Sequence, residues 1–400
     1  MSILKTAAQS RLMGLADPIR VLVIFGTRPE VIKLAPIIRA LQTDHRVTPV
    51  VCSTGQHKEM LAQMFDALHL APDHQLGLMC DRQTLSSLTS LAVERLSEVI
   101  RLERPDAVVV QGDTTTCLCG ALAAFYEGIP VAHVEAGLRS GCLDNPFPEE
   151  LNRRLVAQMT RWHFAPTQGA ASNLRREGMD ATTITVTGNT GIDNLHWVLN
   201  HGLGNPKFRT GLRRVLVTLH RRENQGETMR GLAAAINRLA GRGDVEILLP
   251  LHKSPSVRDA IGPILRNREN VTLTEPLGYL DFTASLADAD FVLTDSGGVQ
   301  EEAPSLGKPV LVLRETTERP EAIEAGVALL VGTNPDMVYR AAVHLLDDAD
   351  AYSAMARAVS PFGDGHAAAR IVSRLAADLT APCEAGRFRA PSRAGGDTVT

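Results

Sequence analysis

Aromatic side chains are scarce, 4% of 400 residues, and that scarcity removes the stacking platforms on which single-stranded nucleic-acid binding rests. A basic stripe is lacking too. The 41 Lys and Arg stand against 45 Asp and Glu, for a formal charge of −4 with the 12 His neutral, so nothing is suited to following a phosphate backbone and no nucleic-acid partner is expected. Apolar runs stay short of the about 18–20 residues that a membrane span requires. Residues 1–18, MSILKTAAQSRLMGLADP, hold no continuous apolar stretch and read as a loose or helical lead-in, not a secretory signal. The expectation is a soluble cytoplasmic protein without a membrane partner. Six cysteines, Cys52, Cys80, Cys117, Cys119, Cys142 and Cys383, are scattered with no C-x-x-C pair, which excludes a recognisable zinc site or disulfide framework. Cys117 and Cys119 lie two apart in a predicted helix and read as small apolar fillers. Neither a Walker A sequence nor a G-x-G-x-x-G fingerprint occurs.

What the chain does have is ordinary globular composition, 44% hydrophobic and 22% charged, over a length that suits about two or three domains. Short β-branched runs recur, each followed by a turn signal and a helical pattern, the rhythm of parallel α/β folds. In the first half the predicted strands are Val21–Phe25, Val47–Cys52, Ala107–Gln111, Pro130–Val134, Trp162–Ala165 and Thr183–Thr187. In the second half they are Arg214–Thr218, Val245–Leu251, Val271–Thr274, Phe291–Thr294, Val310–Leu313 and Ala328–Val331. Their continuous apolar character predicts strands covered on both faces. Two doubly wound sheets follow: an N-terminal domain over 19–190, joined by a C-terminal helix over 365–380, and a second domain over 191–362. The boundary is expected within 188–210, where Asn200–Lys207 (NHGLGNPK) is rich in turn formers. No 20–50-residue period repeats, and the ends, 1–18 and 381–400, are expected to be flexible.

Ligands of such sheets bind at the carboxyl ends of strands, which selects four groups of residues. The first predicted strand runs into Gly26-Thr27-Arg28-Pro29-Glu30, where a new helix offers free N–H groups to an anion and Arg28 and Lys33 add positive charge. A capped helix with solvated charges explains that segment equally well. The second group is Thr294-Asp295-Ser296-Gly297-Gly298-Val299-Gln300-Glu301-Glu302. Adjacent glycines are costly inside a helix, so close backbone approach of a diphosphate explains Ser296, Gly297 and Gly298 better than a simple cap. Glu302 is placed to accept both hydroxyls of a ribose.

Carboxylates make the third group: Asp113 in Gln111-Gly112-Asp113-Thr114-Thr115, Glu135 in His133-Val134-Glu135-Ala136-Gly137, and Glu149 in Pro146-Phe147-Pro148-Glu149-Glu150. Singly each suits a helix N-cap. Together on neighbouring strand ends they repel, and at least one raised pKa is expected, giving a proton donor beside an acceptor. Fourth, His220 sits with Arg221 and Arg222 after a strand, a poor core sequence that suits a charged leaving group. His252 follows another strand and reads equally as a structural histidine. Arg319 follows a further one and is the best cation there to meet a ligand.

These segments, FGTRPE, QGDTTT, HVEAGLR, PFPEELNR, TGNT, HRREN, TDSGGVQEEAPSLGKPV and TTERPE, stand in uninterrupted order over residues 20–380. Together they resemble the non-hydrolysing UDP-N-acetylglucosamine 2-epimerases. The resemblance implies a glycosyltransferase-B-like pair of Rossmann-like domains with the active site in the interdomain cleft. It also implies reversible epimerisation at carbon 2 of UDP-N-acetylglucosamine to UDP-N-acetylmannosamine, by elimination of UDP to 2-acetamidoglucal and re-addition. Catalytic roles transfer to Asp113, Glu135, Glu149 and His220. Nucleotide or sugar contacts transfer to Arg28, Lys33, Phe282, Ser296, Gly297, Gly298, Glu302 and Arg319. An allosteric subsite maps near Gln56, His57, Arg82 and His252, and a homodimer is implied.

Neither a metal nor a cofactor is expected, because the departing diphosphate already has cations and N–H dipoles to receive its charge. Leu219, Lys253-Ser254 and Leu277 depart from the family pattern, with Leu219 expected to shift His220 or narrow the cleft. A glycosyltransferase of the same architecture, a hydrolysing epimerase that releases N-acetylmannosamine and UDP, and a UDP-sugar sensor are the competing readings.

Overall fold

The computed structural model describes residues 19–55, 64–79, 83–209 and 211–381. The chain divides into two compact units, one running to Thr190 and taking back the stretch from His366, the other spanning Gly191–Gly365.

In the first unit the strands are β1 (Ile19–Phe25), β2 (Val47–Ser53), β3 (His74–Gln75), β4 (Ala107–Gln111), β5 (Val131–Val134), β6 (Thr160–Ala165) and β7 (Ile184–Val186). The helices are α1 (Arg28–Thr43), α2 (Leu85–Glu103), α3 (Thr115–Tyr126), α4 (Glu149–Met159) and α5 (Gln168–Arg176). The sheet is parallel in the order β3-β2-β1-β4-β5-β6-β7. Its strands are buried along most of their length, as helices on both faces require. Cys52, Cys117 and Cys119 are buried in the core on one face, and burial pushes the Cys52 thiol up to about 12 and that of Cys119 to about 11. Cys117, whose thiol burial also pushes up, and Cys119 behave as the apolar fillers expected of them.

The second unit opens with α6 (Thr190–Asn200), which begins at the division. It continues with β8 (Arg213–Thr218), α7 (Glu227–Ala240), β9 (Val245–Pro250), α8 (Pro255–Leu265), β10 (Val271–Thr274), α9 (Tyr279–Asp288), β11 (Phe291–Thr294), α10 (Gly297–Ser305), β12 (Val310–Val312), α11 (Pro320–Glu324), β13 (Ala328–Leu330), α12 (Pro335–Asp347) and α13 (Ala349–Arg357). Its parallel sheet runs β10-β9-β8-β11-β12-β13. The turn-rich Asn200–Lys207 stretch is part of this unit: Asn205 N donates to Asp281 Oδ1 (2.9 Å) and Lys207 N to Ser285 Oγ (3.1 Å).

The last described helix, α14 (Ala367–Thr380), returns to the first unit, where it packs on α1. The contacts are specific. Arg370 donates to the Thr187 carbonyl (3.0 Å), while Trp162 Nε1 and Arg374 Nε both donate to Asp378 (2.7 and 2.8 Å). Among the described residues no helix is long and apolar enough to cross a membrane.

Strand order reverses between β1 and β4 in the first sheet and between β8 and β11 in the second. Diverging helices leave a crevice at such a point, and ligands of open α/β sheets bind there. These two places carry the residues of interest.

Candidate active site

At the first crossover β1 ends on Phe25 and turns through Gly26. A Cβ on Gly26 would lie 2.3 Å from the hydroxyls of both Thr54 and Thr116, so only glycine lets these segments close. Glu30, three residues beyond Thr27, reaches back to accept from Gly26 N (3.0 Å), Thr27 N (2.7 Å) and Thr27 Oγ1 (2.7 Å). Its other oxygen accepts from Thr114 Oγ1 (2.7 Å), beyond the end of β4. Thr114 in turn caps α3 by accepting from Cys117 N (3.0 Å). Burial raises the Glu30 pKa in spite of these hydrogen bonds. Desolvation is the leading cause of that rise, and Glu30 is not one of the three acids for which mutual repulsion is expected.

The Gly112–Thr114 turn is held from three further sides. His133, fully buried on β5, has Nε2 2.7 Å from the Gly112 carbonyl, and desolvation drives its pKa down to about 3. The neutral ring therefore donates from Nε2. Asn152 Nδ2 on α4 donates to the Asp113 carbonyl (2.9 Å), and the Arg153 guanidinium pairs with the Asp113 carboxylate. Arg153 also lies 3.4 Å from Glu150, a buried acid whose pKa is lowered: burial opposes the shift, while Ser140 N, Arg154 and Arg153 outweigh it.

Glu135 follows β5 with φ of +65°, a left-handed conformation that non-glycine residues adopt at a cost and that clusters at functional sites. Its carboxylate takes Lys33 Nζ at 2.5 Å on Oε1 and the Gln111 amide on Oε2. A Cβ placed on Gly112 would lie 3.7 Å from Glu135 Oε2, so Glu135 borders the turn that carries Asp113. Glu149 is the first residue of α4, one helical turn before the Arg153 that grips Asp113. All three acids thus belong to one end of the sheet. Lys33, grouped from sequence with the nucleotide contacts, is engaged by Glu135 in this acid cluster. Arg28 opens α1, half-buried.

In the second unit α10 begins at Gly297 with Ser296 as its N-cap, and the Ser296 side chain makes no capping hydrogen bond. First-turn N–H groups have no partner within a helix, so Gly297, Gly298 and Val299 present donors. A Cβ on Gly297 would stand 3.5 Å from the Arg319 guanidinium and 3.6 Å from that of Arg221. Two cations therefore flank the cradle. Arg319 is oriented by Glu301 (Nε to Oε1, 2.5 Å). Glu302 sits partly exposed on α10, and Phe282 on α9 packs in part against the apolar core of this unit.

His220 follows β8, and its Nδ1 lies 3.0 Å from Oδ1 of the buried Asp295, the residue after β11. Leu219, the departure expected to shift His220 or narrow the cleft, is buried in the core with Val217 and Met229. The His252 ring stacks 6.3 Å from that of His220, and His252 Nδ1 accepts from Ser254 N at 3.1 Å. Leu277 packs on the same core as Phe282. Gln56, His57 and Arg82, the rest of the expected allosteric set, lie outside the described residues. No cluster of metal-ligating side chains occurs among the described residues.

The sequence alone assigns no role to Arg153, Asp295 or Glu30. Arg153 had a readable signal, since it stands four residues after Glu149 and shares its helix face. The other two gain meaning only from contacts across strand ends.

A doubly wound pair of sheets, one with a carboxylate cluster at its crossover and the other with a cation-flanked helix N-terminus, defines an enzyme class that handles an anionic nucleotide-type substrate. The sequence model of UDP-N-acetylglucosamine 2-epimerases matches residues 39–376, and the chain belongs to that family. It is 48% identical over 360 residues to the UDP-N-acetylglucosamine 2-epimerase of Bacillus subtilis, covering 89% of this chain and 95% of the relative. The Neisseria meningitidis UDP-GlcNAc 2-epimerase, solved with UDP-GlcNAc bound, superposes with a TM-score of 0.81 at 42% identity, over 89% of this chain and 99% of that one. A Staphylococcus aureus structure with UDP gives 0.80 at 42% identity, over 90% and 97%. The protein is accordingly an isomerase of two Rossmann-like domains, of the glycosyltransferase-B-like class expected from its motifs.

Proposed function

We propose that the chain interconverts UDP-N-acetylglucosamine and UDP-N-acetylmannosamine by elimination and re-addition of UDP, with the acids of the first unit moving the proton and the cradle of the second receiving the diphosphate. Carbon 2 of the sugar is not α to a carbonyl, so its hydrogen cannot leave as in an enolisation. Loss of the C2 proton to a carboxylate must accompany breakage of the C1–O bond, whose electron pair departs with UDP. The product of that half-reaction is 2-acetamidoglucal. Return of a proton to the opposite face of C2, with attack of the diphosphate oxygen on C1, yields the epimer.

The observation that carries this reading is the division of chemistry between the two crossovers. Gly297, Gly298, Arg221 and Arg319 supply positive polarisation for the departing diphosphate. Ser296 and Glu302 serve the nucleotide, with Arg28 and Phe282 as further contacts. Asp113, Glu135 and Glu149 supply proton acceptors and donors. Lys33 beside Glu135 and Arg153 beside Asp113 keep the clustered acids neutralised and oriented. His220 faces the leaving group. A homodimeric, cytoplasmic enzyme is part of the same proposal, as is an activator subsite near His252, Gln56, His57 and Arg82.

The test is incubation with UDP-N-acetylglucosamine as sole substrate, followed by NMR. Equilibration to the two UDP-sugars without free hexosamine is expected. Accumulation of free N-acetylmannosamine and UDP would establish the hydrolysing reaction instead, and unchanged substrate would overturn the reading.

A further inference from the structure

The second crossover holds a buried carboxylate that the proposed reaction does not itself use. Asp295 is fully buried, and both its oxygens are engaged by the loop after β8. His220 N donates to it at 3.0 Å, Arg221 N at 3.0 Å and Asn224 Nδ2 at 3.2 Å, while His220 Nδ1 lies 3.0 Å away. The Asp295 carbonyl also accepts from Arg221 Nε at 3.3 Å. One residue thus holds the imidazole through its carboxylate and, through its backbone carbonyl, the guanidinium that reaches the Gly297 cradle.

We infer that Asp295 is a positioning residue that locks His220 in the Nδ1–H tautomer and leaves Nε2 as the working atom. The argument is one of donor and acceptor count. An ionised carboxylate accepts and cannot donate, so the ring nitrogen facing it must carry the hydrogen. Burial works against ionisation of Asp295, but the His220 hydrogen bond and charge, with the Arg221 and His220 amides, outweigh it and lower its pKa. The neutral ring then has its lone pair on Nε2. When Nε2 is protonated, the resulting cation is balanced by Asp295 at Nδ1 and can hold the oxygen of a departing phosphate.

Neighbouring His252 makes the opposite choice. Its Nδ1 accepts from Ser254 N, so its hydrogen sits on Nε2. Two rings 6.3 Å apart therefore carry opposite tautomers, each imposed by a different partner. That contrast is what a Thr, Asn or water in place of Asp295 would not enforce at His220, since each could donate as well as accept.

The inference rests on the proposed function only for the direction of Nε2; the tautomer itself is testable without turnover. Enzyme labelled with 15N-histidine is examined by two-bond 1H–15N spectroscopy above neutral pH, with the His220 signal assigned by its loss in His220→Gln. A protonated Nδ1 and bare Nε2 are expected for His220, and the reverse for His252. An Nε2–H tautomer at His220 in the wild-type protein overturns the inference, whatever the activity.

In Asp295→Asn the side-chain amide can donate to Nδ1. The His220 tautomer should then reverse, and kcat should fall about 100-fold or more, with a KM change within about threefold. Wild-type kcat with a reversed tautomer overturns the positioning role. Should Asp295→Asn not fold, the wild-type spectrum still decides. An Nδ1–H tautomer in a protein without epimerase activity would remove the proposed function while leaving the Asp295–His220 assignment intact.

Discussion

Lys33 Nζ lies 2.5 Å from Glu135 Oε1, although the two are 102 residues apart and arise from different strand–helix units of the first sheet. The ammonium neutralises a carboxylate that is already crowded by the Asp113 turn. Lys33→Met should therefore act through the acid, with kcat falling about 10- to 100-fold, in the range of a charge-assisted hydrogen bond. UDP affinity by calorimetry should stay within about twofold. A loss of UDP affinity with kcat preserved would return Lys33 to the nucleotide.

Asp113 has its carbonyl on Asn152 and its carboxylate on Arg153, so replacing it by Asn preserves shape and removes charge. Turnover of Asp113→Asn should drop by about 10²–10⁴, the range for loss of a general acid or base, with UDP binding largely kept. Rates near wild type would remove Asp113 from the catalytic group.

Arg221 and Arg319 both approach Gly297. A cation reading a diphosphate contributes roughly 1.5–3 kcal/mol, so Arg221→Met should weaken UDP binding about 10- to 100-fold and leave uridine binding unchanged. Equal loss for UDP and uridine would place Arg221 away from the phosphates.

His133 predicts an acid-labile first unit. Its pKa falls from 6.5 to about 3 on folding, so below pH 6.5 the unfolded chain binds a proton that the folded one refuses. Stability is then unaffected at higher pH and declines as pH drops from 6.5 towards 3, by up to about 1.4 kcal/mol per pH unit for this one group. His163, also lowered by burial, adds in the same direction. Urea midpoints across pH 7 to 4 should fall less steeply in His133→Gln, with circular dichroism as the readout. Parallel slopes for variant and wild type would contradict the assignment.

The twelve predicted strands all appear in the structure, with ends shifted by at most two residues, because buried parallel strands write themselves as continuous β-branched runs. β3 was not legible: two residues, His74–Gln75, are too short to show any period, and only pairing with Cys52 and Ser53 makes them a strand. The acids Asp113, Glu135 and Glu149 and the Ser296 cradle were visible since they follow strand ends. Their partners were not. Lys33 and Asp295 owe their contacts to partners on other strand–helix units, which no local spacing encodes, and the spacing of Arg153 from Glu149 shows a shared helix face but not its pairing with Asp113. Leu219 shows the converse limit: it stands beside His220 in sequence, and only the fold shows that it is buried in the core.

The claim on which the rest depends is that a proton leaves carbon 2 and another returns to it. Turnover of UDP-N-acetylglucosamine in deuterated water, followed by 1H NMR and mass spectrometry, measures that directly. The account predicts UDP-N-acetylmannosamine carrying one deuterium at carbon 2. Product that retains the original hydrogen at that carbon would contradict it.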